Sequence, residues 1–140
     1  MNTTNPAIED LARRLIASEA AREPSDGPVG ATVRACDKMR VPLTKLVGAA
    51  GFRSLLSRAL AMAKAEAPIF DAVLVRPDGS LEGLDATGRA MNEEAGVLVV
   101  ARLLGLLMTF IGGPLTLLLV RDAWPDATAA GIDAGSGEAS

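Results

Sequence analysis

The stretch RLLGLLMTFIGGPLTLLLVR, residues 102–121, carries no charge between its terminal arginines. Such a run is long enough to cross the hydrocarbon core of a bilayer as one helix. It is equally suited to two helices buried in a soluble bundle. For the span, the run continues back to Ala95 with only Arg102 interrupting it, and an arginine near an end can snorkel. Gly105, Thr109 and Gly113 recur every four residues, the small-residue spacing of packed membrane helices. Trp124 stands where an interfacial anchor would. This reading gives a single-pass inner-membrane protein with its helix near 97–120. Against it stands Gly112-Gly113-Pro114, a glycine past one helix end and a proline at the start of the next. In a membrane such a break needs neighbours to satisfy the freed backbone groups, and a lone span has few. The break therefore favours two helices, about 88–111 and 114–123, at the centre of a cytoplasmic bundle. Arg102, Gly105 and Thr109 would form the narrow outer face of the first.

The rest of the chain supplies partners for that centre. Asn5-Pro6 reads as an N-cap and first helical residue, with Glu9 and Asp10 favouring the positive end of the helix dipole. Ile8, Leu11, Leu15 and Ile16 repeat at helical spacing, with Arg13, Arg14 and Glu19 off the stripe, so a helix is expected over 6–22. The charges within it argue against a signal peptide. EPSDGPVG, 23–30, is a loop. A helix over 29–40 turns Val33, Cys36 and Met39 inward and is ended or kinked by Pro42. Leu43, Leu46 and Val47, then Phe52, Leu55, Leu56, Ala59, Leu60 and Ala63, make two helical faces separated by Gly48 and Gly51, a turn or a bend. RPDGS between IFDAVLV and LEGL is the one hairpin signal, near 69–84. Past Trp124 the small polar tail, 125–140, cannot bury enough apolar area to fold and is expected to be disordered. The fold class is mainly α: a single domain over 1–124, four or five helices in a small bundle, with or without one short β-hairpin.

Composition narrows the chemistry. The chain has no histidine, which removes the commonest general base and metal ligand. Its single cysteine, Cys36, allows no intrachain disulfide, fits a reducing compartment and reads as a small core residue. Asp78, Ser80, Glu82 and Asp85 are spaced like a calcium loop, but the twelfth position holds Arg89 instead of glutamate. No nucleophile–base pair, phosphate loop or metal-ligand spacing is present, so no catalytic residue, cofactor or metal is expected.

Two patterns remain. LVGAAGFRSLLSR resembles part of a DNA-binding helix-turn-helix, with Ala50-Gly51-Phe52 at the turn. The resemblance implies a regulator using 43–60, with Lys45, Arg53 and Arg58 as DNA contacts. Leu55 and Leu56 fall on or beside the face meant for DNA, and a net charge of −3 points away from nucleic acid. LTKLVGAAGFRSLLSR also echoes LMTFIGGPLTLLLVR: Gly48 aligns with Gly112, Leu55 with Leu119 and Leu56 with Val120, 64 residues apart, with the closing arginines out of step by one. Either a helical hairpin is duplicated or a Leu/Ala/Gly-rich chain repeats itself by chance. An apolar excess with few reactive side chains points to a non-enzymatic scaffold or adaptor that binds a protein partner or a second copy of itself. The candidate contact residues are Leu103, Leu106, Leu107, Phe110 and Leu117, which would otherwise be plain core.

Overall fold

A computed structural model describes residues 6–84 and 92–125. The chain runs α1 (Pro6–Arg22), a 3-10 turn (Pro24–Asp26), α2 (Gly27–Glu66), a second 3-10 turn (Pro68–Phe70), β1 (Leu74–Val75), β2 (Leu81–Glu82), α3 (Glu93–Phe110) and α4 (Gly113–Ala123). The mainly helical bundle with a short hairpin is the class the sequence indicates. The Asn5 cap, the chain around Arg89 and the expected disorder of 126–140 lie outside the described residues.

Three local outcomes differ from the sequence expectation. The 23–30 loop is shorter, because Gly27 and Pro28 already open α2. Pro42 does not end the helix. A proline inside a helix forfeits a hydrogen bond and costs about 3 kcal/mol, and here buried Met39 and Leu43 on either side hold the backbone in place. The break falls at Gly48, whose φ of 83° and ψ of 164° belong to a region essentially restricted to glycine. It divides α2 into a first arm, 27–47, and a second arm, 49–66. The expected turn at Ala50-Gly51-Phe52 is helical, and Phe52 is buried.

The long apolar run is likewise two helices. α3 closes at Ile111 and α4 opens at Gly112, with φ 91° and ψ 158°. The 97–120 stretch therefore does not form one continuous span. Arg102 is not on an outer face: it is 6% exposed and its Nε donates to Glu66 Oε2 at 2.6 Å. Among the described residues, one helix is long and apolar enough to cross a membrane by length and composition, and that is α2, the helix broken at Gly48.

Gly48 and Gly112 share one backbone conformation, and the correspondence extends along both halves at the same 64-residue offset. Ala35 matches Val99, Met39 matches Leu103, Leu43 matches Leu107, Phe52 matches Thr116, Leu56 matches Val120 and Leu60 matches Trp124, and every one of these residues is buried. Equivalent residues also meet. A Cβ on Gly96 would collide with the Oγ1 of Thr32, its counterpart. Lys38, on the first arm, contacts the end of α4 at Trp124. Its counterpart Arg102, on α3, binds the end of the second arm at Glu66. The weak sequence echo is thus matched in the fold by two helix pairs, each broken at a glycine of the same conformation and buried at the same positions, with α1 laid against α2 and α3.

The two glycines lend themselves to substitution. A Cβ at either position would meet no atom within 4 Å, so the cost of alanine there is backbone strain alone. Gly48→Ala and Gly112→Ala are each expected to lower stability by about 1–3 kcal/mol. Gly105→Ala, in open space within regular helix, is expected to raise it by roughly 0.5–1 kcal/mol. Urea unfolding of the three variants checks both signs.

Candidate protein-binding groove

The five residues expected to make contacts do not share a surface. Leu103 and Leu107 are fully buried in the core, so they are corrected to structural residues. Both belong to the buried core cluster, which leaves nothing for a partner to touch. Leu106 and Leu117 are half-buried against the same core. Phe110 alone is open, at 64% exposure, on the last turn of α3.

Phe110 is one wall of an open groove of about 760 Å³. The floor comes from the start of the second arm and the residue before its break, where Val47, Ala50, Gly51 and Leu55 line it. Short side chains keep this floor low. A Cβ on Gly51 would come within 2.9 Å of the Val47 side chain. The rim carries Arg53, Ser54, Ser57 and Arg58. Ser57 also lines a smaller hollow of about 150 Å³ shared with Lys64 and the exposed Leu74 of the hairpin. The exposed edge of the second arm is thus bordered by recesses from Phe110 to Leu74.

The charge of this arm is one-sided. From Lys38 to Lys64 the chain holds six cations and no carboxylate. Lys38 pairs with Glu19, and Arg40 with Asp37. Lys45, Arg53, Arg58 and Lys64 pair with no carboxylate among the described residues. Arg53 spends an N–H on the Pro77 carbonyl at 2.9 Å, which ties the hairpin turn to the arm. Lys45 precedes the Gly48 break and Arg58 follows it, so the three residues expected to touch DNA fall on two differently directed arms.

The second feature is buried. Glu19 has no exposed surface, although its charge sets it apart from the apolar stripe of α1. It follows Leu15 by four residues and Ile16 by three, so helical geometry puts it on the buried face. Lys38 Nζ lies 2.6 Å from its Oε2, and Arg34 Nε donates to Oε1 at 3.1 Å. Arg34 Nη2 also donates to the Glu19 carbonyl at 2.8 Å. Trp124 Nε1 donates to Oε2 at 2.8 Å, and Lys38 lies 5.7 Å from the indole centroid. Burial pushes the Glu19 carboxyl upward, but the hydrogen bonds from Lys38, Trp124 and Arg34 and the Lys38 charge outweigh it and hold the pKa below the ordinary value. The carboxylate at the centre of the cluster is buried, while the Lys38 and Arg34 side chains around it stay partly exposed. The cluster's geometry fixes the end of α4 to α1 and the first arm, and every carboxylate oxygen is already engaged.

The remaining reactive groups are structural. Burial raises the Cys36 thiol to about 12, so thiolate is scarce near neutral pH. Asp78 Oδ1 accepts from Ser80 N and Ser80 Oγ within the turn, and these bonds lower its pKa. No cluster of three or more His, Cys, Asp or Glu able to hold a metal occurs among the described residues. Comparison with known protein families, with curated proteins and with solved structures gives no match.

The groove leaves a trace in the sequence that side-chain apolarity alone does not reveal. The acid-free run from Lys38 to Lys64 stands out in a chain of net charge −3. The Glu19 cluster leaves a weaker trace, a carboxylate at stripe spacing.

Proposed function

We propose that this chain is a non-enzymatic scaffold or adaptor that binds a protein helix in the groove beside Phe110. The observation that carries the reading is the combination of a low apolar floor, a largely exposed aromatic wall and rim arginines without a carboxylate partner among the described residues. Helix-in-groove recognition uses such a recess for apolar anchors, and aromatic and arginine side chains are the types that dominate binding energy at interfaces. A solvent-facing Phe110 costs free energy in a lone monomer, which a partner would recover. The single buried thiol suits a reducing, cytoplasmic setting.

The test is site-specific photo-crosslinking of the full chain in its own cells, with benzoylphenylalanine at Ser54 on the rim and at Ala17 on the exposed side of α1. The expected result is a discrete protein adduct from position 54, absent from position 17 and lost when Arg58→Asp is added. No adduct from position 54, or equal labelling from both positions, would overturn the reading.

A further inference from the structure

The repeat makes the groove informative, because residues lining it have counterparts in the other half. The counterpart of Ser54 is Leu118, that of Gly51 is Leu115 and that of Arg58 is Asp122. Where the first half is small and recessed, the second is bulky and raised. Leu118 is 59% exposed. Asp122 is exposed and has no ion-pair partner among the described residues, and the same holds for Arg58. One molecule therefore displays both a hole with a cation on its rim and a knob with an anion one helical turn further on. They lie on different halves, and Leu118 stays exposed in the single chain.

Resting on the groove reading above, we infer that the occupant is a second copy of this chain, which seats α4 in the groove with Leu118 over the recess at Ser54 and Asp122 against Arg58. The arrangement is reciprocal. Each copy supplies one knob and one hole, and when both contacts form between the same two copies they close as a two-fold dimer with no unfilled end. The complementarity is of two independent kinds, volume at Ser54/Leu118 and charge at Arg58/Asp122. A leucine entering a recess floored by Ala50 and Gly51 removes apolar surface from both copies. The two unpaired charges gain partners in the same step.

Sedimentation equilibrium of the full chain from about 1 to 300 µM tests this, with far-UV dichroism to confirm that each variant is folded. The wild type is expected to dimerise. Ser54→Trp, which fills the hole, should weaken the dimer at least tenfold. Arg58→Asp and Asp122→Arg should each do the same, and the double variant R58D/D122R should return to within about threefold of wild type. If Ser54→Trp fails to fold, the charge exchange carries the test alone. A wild type that is monomeric throughout would overturn the second-copy assignment, while the crosslink at Ser54 would still decide whether the groove takes another protein. A dimer indifferent to Ser54→Trp and Arg58→Asp would place the interface elsewhere and overturn it as well. Weakening by each charge reversal without recovery in the double variant would overturn the Arg58–Asp122 pairing and with it the docking orientation.

Discussion

Glu19→Ala is expected to lower the unfolding free energy by about 3–5 kcal/mol, the usual cost of removing one member of a buried ion pair. The variant deletes the carboxylate that Lys38, Arg34 and Trp124 share. Lys38, Arg34 and the indole N–H then lose this shared acceptor and a small cavity takes its place, while Arg34 Nη2 keeps its bond to the carbonyl of residue 19. Glu19→Gln keeps a carbonyl for the indole but removes the charge, so its loss should be smaller. The pH dependence carries a sign. The Glu19 carboxyl is held below its ordinary value in the folded chain, so the folded state binds that proton less readily than the unfolded state. Its contribution is therefore fully present above the unfolded glutamate pKa of about 4.3, and it is lost as pH falls through the lower folded value. Urea midpoints measured from pH 7 down to pH 3 should fall for the wild type over that window. The Glu19→Gln variant should lack this portion of the fall. A wild type and Glu19→Gln with parallel acid profiles would show that the cluster contributes nothing through its charge.

Trp124→Ala is the second large effect, expected at about 3–5 kcal/mol for a fully buried aromatic. Trp124 is 1% exposed and is the largest buried side chain. It sits at the counterpart of Leu60, where the end of α4 returns to the first arm of α2. Its loss removes both the ring that fills the space beside Lys38 and the N–H bound to Glu19. Trp124→Phe separates these roles. It retains most of the ring and forfeits a hydrogen bond to a charged group, worth roughly 1.5–3 kcal/mol. Glu19→Ala and Trp124→Phe should be coupled by about 0.5–3 kcal/mol in a double-mutant cycle, because each removes one side of the 2.8 Å contact. Additive effects would mean that the indole acts by packing alone. Because the cluster clamps α4, Trp124→Ala should also weaken any contact made through Leu118.

The helical scaffold is legible in the sequence because its strongest signals are local. The Ile8–Ile16 stripe sets α1, Gly112-Gly113-Pro114 divides the apolar run, and Pro77-Asp78-Gly79 turns the hairpin. These are backbone preferences that hold whatever the surroundings. Gly48 fits either a turn or a bend, and only packing decides which, since the positive-φ geometry is adopted where the second arm must change direction. Leu103 and Leu107 look like Phe110 in sequence, all apolar on one helix, yet the folded chain covers the former two and leaves the last 64% exposed. Glu19 and Arg102 look like surface residues by charge. Both lie at buried helical positions and are tolerated because an oppositely charged residue from a distant segment meets each of them. The pairing of Gly48 with Gly112 is visible as an echo. What gives it weight is the burial of the flanking pairs and the contact of Thr32 with Gly96, which only the folded chain brings together.

The docking role of the groove is tested most directly by paramagnetic broadening between two copies. A nitroxide is attached at Ala61→Cys, on the exposed edge of the second arm, where the sealed thiol of Cys36 does not compete for the label. The labelled chain is mixed with an isotopically enriched, unlabelled copy. Broadening concentrated on amides of 113–123 in the enriched copy, and abolished by Arg58→Asp in the nitroxide-carrying chain, is the predicted result. Uniformly sharp amides with both copies at the upper end of the sedimentation range, or broadening confined to α1, would contradict it.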